Sequence, residues 1–176
     1  MKRENSEHRQ LIIDFYTAFQ RLDWRGMNQC YHPEVCFSDP VFAELNASEV
    51  TNMWHMLCDS ANEFVLHFDH IQAGDTHGSA HWTVQYNYPS RNGGEQRRRV
   101  KNDVFAEFQF ADGQICRHTD HFNFWRWSAQ ALGPAGLFLG WSGRFRNKVQ
   151  QRAGRSLGRF KRLNDAERGT QDSSGS

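Results

Sequence analysis

Long apolar runs are missing from this sequence. No stretch reaches the roughly 20 apolar residues that span a bilayer, and the opening residues Met1-Lys2-Arg3-Glu4-Asn5 lack the apolar core of a secretory leader. Cysteine is scarce as well. Cys30, Cys36, Cys58 and Cys116 are widely separated and form no Cys-x-x-Cys pair, so neither a zinc site nor a disulfide framework is signalled. These absences predict a cytoplasmic protein with reduced thiols. Acidic residues are absent from Ala129 to Leu163, where eight Lys and Arg side chains fall. The whole chain carries a net charge of +1, so the remainder without those eight is at −7.

What is present is a globular core. With 176 residues, 38% of them hydrophobic, one domain with a sizeable interior is expected. Six Trp and fourteen Phe make that interior aromatic, which more often means an ordinary core than a ligand pocket. Leu11, Ile12, Phe15, Phe19 and Leu22 have the spacing of an amphipathic helix from Glu7 to Leu22. Asp23 caps a short second helix, which ends at His32-Pro33, with Met27, Cys30 and Tyr31 on its buried side. A strand, Val35 to Asp39, stops at Pro40. Asn46 or Ser48 caps a third helix reaching Ser60, with Val50, Trp54, Leu57 and Cys58 in phase. Four alternating or aromatic runs follow, Glu63–Ala73, Ser79–Tyr88, Arg97–Phe110 and Ile115–Trp125, separated by turns short enough for an antiparallel meander. The fold class is therefore α+β, with helices on one face of the sheet.

The stretch Gly113 to Phe124 organises the rest. Alternation places Cys116, His118, Asp120, Phe122 and Phe124 on one face, so Asp120 sits among apolar neighbours. A carboxylate there needs a partner or a use. Asp39 is a second acid in apolar company, between Phe37 and Phe42. Each acid has two readings. As a base in a dry pocket, either has its pKa raised toward neutrality by desolvation and can take a proton from carbon beside a carbonyl, with Tyr16, His118 or Trp82 as donor to the enolate oxygen. As structure, Asp39 caps the turn at Pro40 and Asp120 is satisfied by His118 or a backbone N–H.

The nine His do not make a metal site in regular strands. His118 and His121 lie three apart and so on opposite faces, as do His67 and His70, and no metal or cofactor is expected. Phe145, Val149, Ala153, Leu157 and Phe160 recur at helical spacing among the basic residues, after the apolar loop Leu132 to Trp141. This basic amphipathic helix either packs on its own domain or a dimer mate, or, over 137–163, lies on an anionic membrane surface. Nucleic acid is the weaker partner because no reading motif accompanies the charge. The chain thus divides into 1–127, an apolar loop and basic helix over 128–163, and a disordered end over 164–176.

The early segment Tyr31 to Pro40, together with Asp112-Gly113-Gln114-Ile115 leading to Asp120-His121-Phe122-Asn123, resembles the SnoaL-like branch of the nuclear transport factor 2 and ketosteroid isomerase-like superfamily, over roughly Glu7 to Trp127. The resemblance implies a cone: a strongly bent antiparallel sheet wrapped round N-terminal helices, often a homodimer, with a pocket for a small apolar molecule. Phe37-Ser38-Asp39-Pro40-Val41 matches the segment holding the proton-shuttling aspartate of ketosteroid isomerases, and Asp120 falls where polyketide cyclases and limonene-type epoxide hydrolases of this shape hold a catalytic aspartate. Two departures count against a direct transfer. Ala80 to Val84 lacks the Arg and Asp pair of the epoxide hydrolases, and the later oxyanion-holding acid of the isomerases would have to be Asp103, on the outward side of a regular strand. The resemblance implies cofactor-independent acid/base chemistry by Asp120, Asp39, His118 and Tyr16 in a pocket lined by Phe37, Trp54, Trp82 and Phe122, or else a non-catalytic binding domain.

Overall fold

The computed structural model describes residues 2–88 and 98–173, with side chains from 5 to 88 and from 98 to 166. The sequence break at Pro89 to Gly94 and the strand start at Arg97 lie outside the described residues. In order the elements are α1 (Lys2–Gln20), α2 (Trp24–Gln29), β1 (Tyr31–Ser38), β2 (Leu45–Asn46), α3 (Ala47–Ser60), β3 (Val65–Ala73), β4 (His77–Tyr88), β5 (Arg98–Ala111), β6 (Gln114–Phe122), α4 (Phe124–Leu132), α5 (Pro134–Leu139) and α6 (Gly143–Ser173).

The six strands form one open sheet ordered β2-β1-β6-β5-β4-β3, antiparallel except for the parallel pair of β1 and β6. Asp112 and Gly113 both have positive φ, 50° and 76°, in the two-residue turn that joins β5 to β6. Such a turn matches the twist of the flanking strands, and glycine carries the left-handed backbone there without a Cβ penalty. Helices α1, α2 and α3 fill the concave face, where Ile12, Phe15, Tyr16, Val50 and Met53 are 0 or 1% exposed. The capping follows the sequence closely. Asp23 accepts from Gly26 N at 3.0 Å, and Asn46 with Glu49 forms a reciprocal capping box at the start of α3.

Four expectations need correction. Cys116 is not on the inner face: it is an extra residue in β6, because Phe110 pairs with Ile115 while Gln109 pairs with Arg117. The bulge shifts the parity, so Ile115 takes the inner position ahead of His118 and Asp120. Tyr31 belongs to β1, not to the buried side of α2. The final strand stops at Phe122, not Trp125, because Asn123 accepts from Arg126 N at 2.9 Å and starts α4. The apolar stretch after Leu132 is not all loop, since Pro134 opens the short helix α5.

Arg98 to Lys101 lie at one end of β5, a central strand of the sheet. Pairing of β6 begins only at Val104, so this end of β5 has β4 on one side alone. Gln130 of α4 fills the other side. Its Oε1 accepts from Lys101 N at 2.8 Å and its Nε2 donates to Lys101 O at 3.1 Å, copying a strand partner with one side-chain amide.

Helix α6 lies across the domain. Phe145 and Val149 pack on the cluster of Val100, Phe124, Trp127 and Ala131, while Ala153 and Leu157 join the main core, Leu157 only 4% exposed. Phe160 meets His55 edge-on at 5.0 Å, and Gln150 Nε2 donates to Pro40 O at 3.2 Å. The apolar stripe of this helix is thereby spent on its own domain.

Candidate functional site

The inner end of β6 carries the site. Parallel pairing sets Phe37 opposite His118, and antiparallel pairing sets Phe108 opposite His118 and Ala106 opposite Asp120. Ala106 in turn pairs with Ala80, so the row running from Asp120 across β5 and β4 is built of small residues. His118 and Asp120 are 1% and 4% exposed, which makes them a buried polar pair in an aromatic interior.

They are joined into a chain of hydrogen bonds. His118 Nε2 lies 3.0 Å from Asp120 Oδ1, and His118 Nδ1 lies 2.7 Å from the Tyr31 hydroxyl. Trp54 Nε1 donates to the Tyr31 oxygen at 3.1 Å, and Trp82 Nε1 donates to Asp120 Oδ1 at 3.4 Å. The two indoles can only donate, so the Tyr31 oxygen accepts from Trp54 and Asp120 accepts from Trp82, while His118 bridges Tyr31 and Asp120 through its two ring nitrogens. The rings of Phe15, Phe37, Phe108 and Trp54 enclose the imidazole at centroid distances of 4.5 to 6.3 Å.

Tyr16 departs from this pattern. It is fully buried on α1 against Phe68, Trp82 and Phe108, and among the described residues its hydroxyl has no hydrogen-bond partner. Burial first, and the charge of Asp120 second, push its pKa well above the ordinary tyrosine value. The hydroxyl is therefore a firmly protonated donor within the electrostatic reach of Asp120. A buried donor left unmatched costs about 1–3 kcal/mol, so its retention asks for a purpose.

Asp39 sits beyond the end of β1, partly open to solvent but surrounded by apolar groups. Its Oδ1 accepts from Val41 N at 2.6 Å and from Phe42 N at 2.5 Å, the turn-capping role. Desolvation nevertheless outweighs those bonds, and with repulsion from Asp120 it raises the Asp39 pKa to about 7. The two acids thus influence each other electrostatically, and the turn-capping bonds of Asp39 accompany its raised pKa.

The remaining sequence candidates divide. Phe37, Trp54 and Trp82 are 1, 3 and 7% exposed around the network, whereas Phe122 is half-buried farther along β6, 6.2 Å from Trp127. The residue that sequence reasoning missed is Tyr31, which a bulged pairing of β1 with β6 turns inward. Asp103 points outward, bonded to His81 Nε2 at 3.0 Å, so it plays no part inside the cone.

On the outer face a bulge also undoes a sequence assumption. His70 has φ of 49° at the register shift between Asp69 and Gln72, and its Nδ1 lies 2.7 Å from Asp69 Oδ1, as does His81 Nδ1. Asp69, His70 and His81 place three ligand-type atoms within 4.8 Å of one another. One carboxylate oxygen already serves both imidazoles, and Asp103 takes the other nitrogen of His81, so the cluster is closed by its own hydrogen bonds. These bonds hold the Asp69 pKa below the usual carboxylate range and raise that of His81.

A family model for the SnoaL-like domain matches residues 12–118. The chain belongs to this SnoaL-like family. The SnoaL-like domain of this chain is similar in fold to a candidate polyketide cyclase from Xanthomonas campestris pv. campestris, at 21% identity and a TM-score of 0.61, covering 73% of this chain and 98% of that one. It is similar also to an epoxide hydrolase of the LEH-like type from M. tuberculosis (17% identity, TM-score 0.59, 77% and 96% covered). A third is a nuclear transport factor 2-like protein of unknown function from Burkholderia pseudomallei K96243 (18%, 0.56, 66% and 91%). At these identities the likeness is one of fold. No curated protein matches the sequence. Within the SnoaL-like domain, the position read against the epoxide hydrolase pair holds Trp82, which donates to Asp120 instead of charging the site.

Proposed function

We propose that this SnoaL-like protein catalyses cofactor-independent acid/base chemistry on a small, largely apolar carbonyl compound, of the isomerisation, aldol-cyclisation or dehydration type. The observation that carries this reading is the Tyr16 hydroxyl: buried, protonated, without a hydrogen-bond partner among the described residues, and within the electrostatic reach of Asp120. A substrate carbonyl oxygen is the acceptor that hydroxyl lacks. In the reaction, Asp39, with its pKa near 7, takes a proton from the carbon beside the carbonyl. The C–H electron pair moves into the enolate, whose oxygen gains the Tyr16 hydrogen bond at a fully buried hydroxyl. Return of the proton to a different carbon completes an isomerisation, and attack of the enolate carbon on a second carbonyl completes a cyclisation. His118 and Trp82 hold Asp120 in place by hydrogen bonds, and repulsion from Asp120 adds to the desolvation that makes Asp39 the stronger base.

The tight interior supports a second reading, a non-catalytic ligand-binding domain. Aromatic rings occupy the space around His118, and α6 packs over the same domain, so a ligand has to displace side chains to enter. Deuterium exchange separates the two readings. A panel of small cyclic and aromatic ketones is incubated in D2O with wild type, Asp39→Asn and Tyr16→Phe, and the proton beside the carbonyl is followed by NMR. Catalysis predicts exchange by wild type that drops at least a hundredfold in both variants. Ligand-induced shifts without exchange would establish the binding domain instead.

A further inference from the structure

We infer that the α5 corner, continued by the start of α6, is a docking site for an anionic phospholipid surface. The sequence pointed to the apolar stripe of α6 as the lipid-facing element, but that stripe packs on the domain. Among the described residues the two most exposed large apolar side chains, Phe138 and Trp141, are on α5 and its flank. Phe138 is 70% exposed and Trp141 79%, and Leu137, Leu139 and Trp125 are each nearly half exposed. They form one patch. Trp125 Nε1 donates to Leu137 O at 3.0 Å and Trp141 Nε1 to Phe138 O at 2.9 Å, which tie both indoles to the helix. An exposed cluster of large apolar side chains of this kind marks a binding surface, and rigidly held tryptophans suit the headgroup layer of a bilayer.

Charge decides the occupant. Arg144, Arg146 and Lys148 follow Trp141 directly, all exposed, on the first turns of α6, and about 1.5 Å of rise per residue keeps them beside the patch. Arg152, Arg155, Arg159 and Arg162 extend the exposed basic face, with no acidic residue from Ala129 to Leu163. A second copy docking through this same face would bring like cations against these and be repelled. The rest of the protein has a net charge of −7 by subtraction (1 − 8) and would itself be repelled by an anionic membrane, so contact is confined to this end. Among the described residues no helix is long and apolar enough to cross a membrane, so docking is peripheral. The arrangement is apolar anchors with a cationic rim, and each Lys or Arg near such a surface adds on the order of 1 kcal/mol.

The test is co-sedimentation of the full chain with vesicles of phosphatidylcholine alone or with one quarter phosphatidylglycerol, in 50 mM salt. Wild type is expected to pellet with the anionic vesicles only and to release as salt rises. Phe138→Ser with Trp141→Ser, both highly exposed and so harmless to the fold by circular dichroism, is expected to lower partitioning at least tenfold. Arg144→Glu with Lys148→Glu is expected to do the same. The inference is overturned if wild type ignores anionic vesicles, or if both double variants bind them as well as wild type. It is overturned equally if the patch substitutions dissolve a self-associated species, or if duplex DNA binds tightly without regard to Phe138 and Trp141.

Discussion

One substitution, tyrosine to phenylalanine, has opposite consequences at two buried positions of this protein. Tyr31 and Tyr16 are 5% and 0% exposed, and both rings belong to the same core cluster. Removing the Tyr31 hydroxyl strands two buried groups, the Trp54 indole N–H and His118 Nδ1. Each stranded group costs about 1–3 kcal/mol, so Tyr31→Phe should destabilise by about 2–5 kcal/mol, a large share of the 5–15 kcal/mol typical of a domain. In a chain of this length that corresponds to a melting temperature lower by about 5–15 °C. Removing the Tyr16 hydroxyl strands nothing and removes an unmatched donor. Tyr16→Phe should therefore be neutral, or more stable by about 1 kcal/mol, while losing activity. Urea unfolding of the three proteins at pH 7, with equal slopes, reads both values. Marked destabilisation by Tyr16→Phe, or none by Tyr31→Phe, would refute the assignment of the network.

The other predictions concern acid, packing and the tail. Since the folded pKa of Asp39 is raised to about 7, the stability held by its protonated form is complete below the unfolded value near 3.8 and is lost as pH rises through 7. The loss is at most about 4 kcal/mol. Asp39→Asn, which keeps an acceptor for Val41 and Phe42, should flatten unfolding free energy between pH 4 and 7; an unchanged slope would contradict the assigned burial. Leu157→Ala should cost about 2–4 kcal/mol and expose α6 to proteolysis, whereas Leu163→Ala, 58% exposed, should stay within about 0.5 kcal/mol. A Cβ on Gly136 would collide with the backbone carbonyl of Ser128, so Gly136→Ala should force α4 and α5 apart and raise amide exchange in both helices.

Much of the fold was legible because its signals are local. Asp23 and Asn46 announce their helices by capping chemistry, and Asp112-Gly113 announces the hairpin by its backbone demand. His118 and Asp120 were correctly placed together by alternation, which two residues inside a strand preserve. The failures sit where local rules break. The bulge at Cys116 exchanged one inward residue for its neighbour, and the bulge at His70 turned successive side chains toward one cluster. Phe124 to Trp127 is rich in aromatics that favour strands, yet the Asn123 cap and packing on β5 made it helix. Tyr31 could not be found as the partner of His118, since that contact joins residues 87 apart through a parallel pairing.

The claim that the Tyr16 hydroxyl awaits a ligand oxygen is tested most directly by the infrared carbonyl stretch of a ketone bound to the protein. The account predicts a shift to lower frequency than in an apolar solvent, abolished in Tyr16→Phe. A bound ketone whose stretch is the same in wild type and Tyr16→Phe would contradict it.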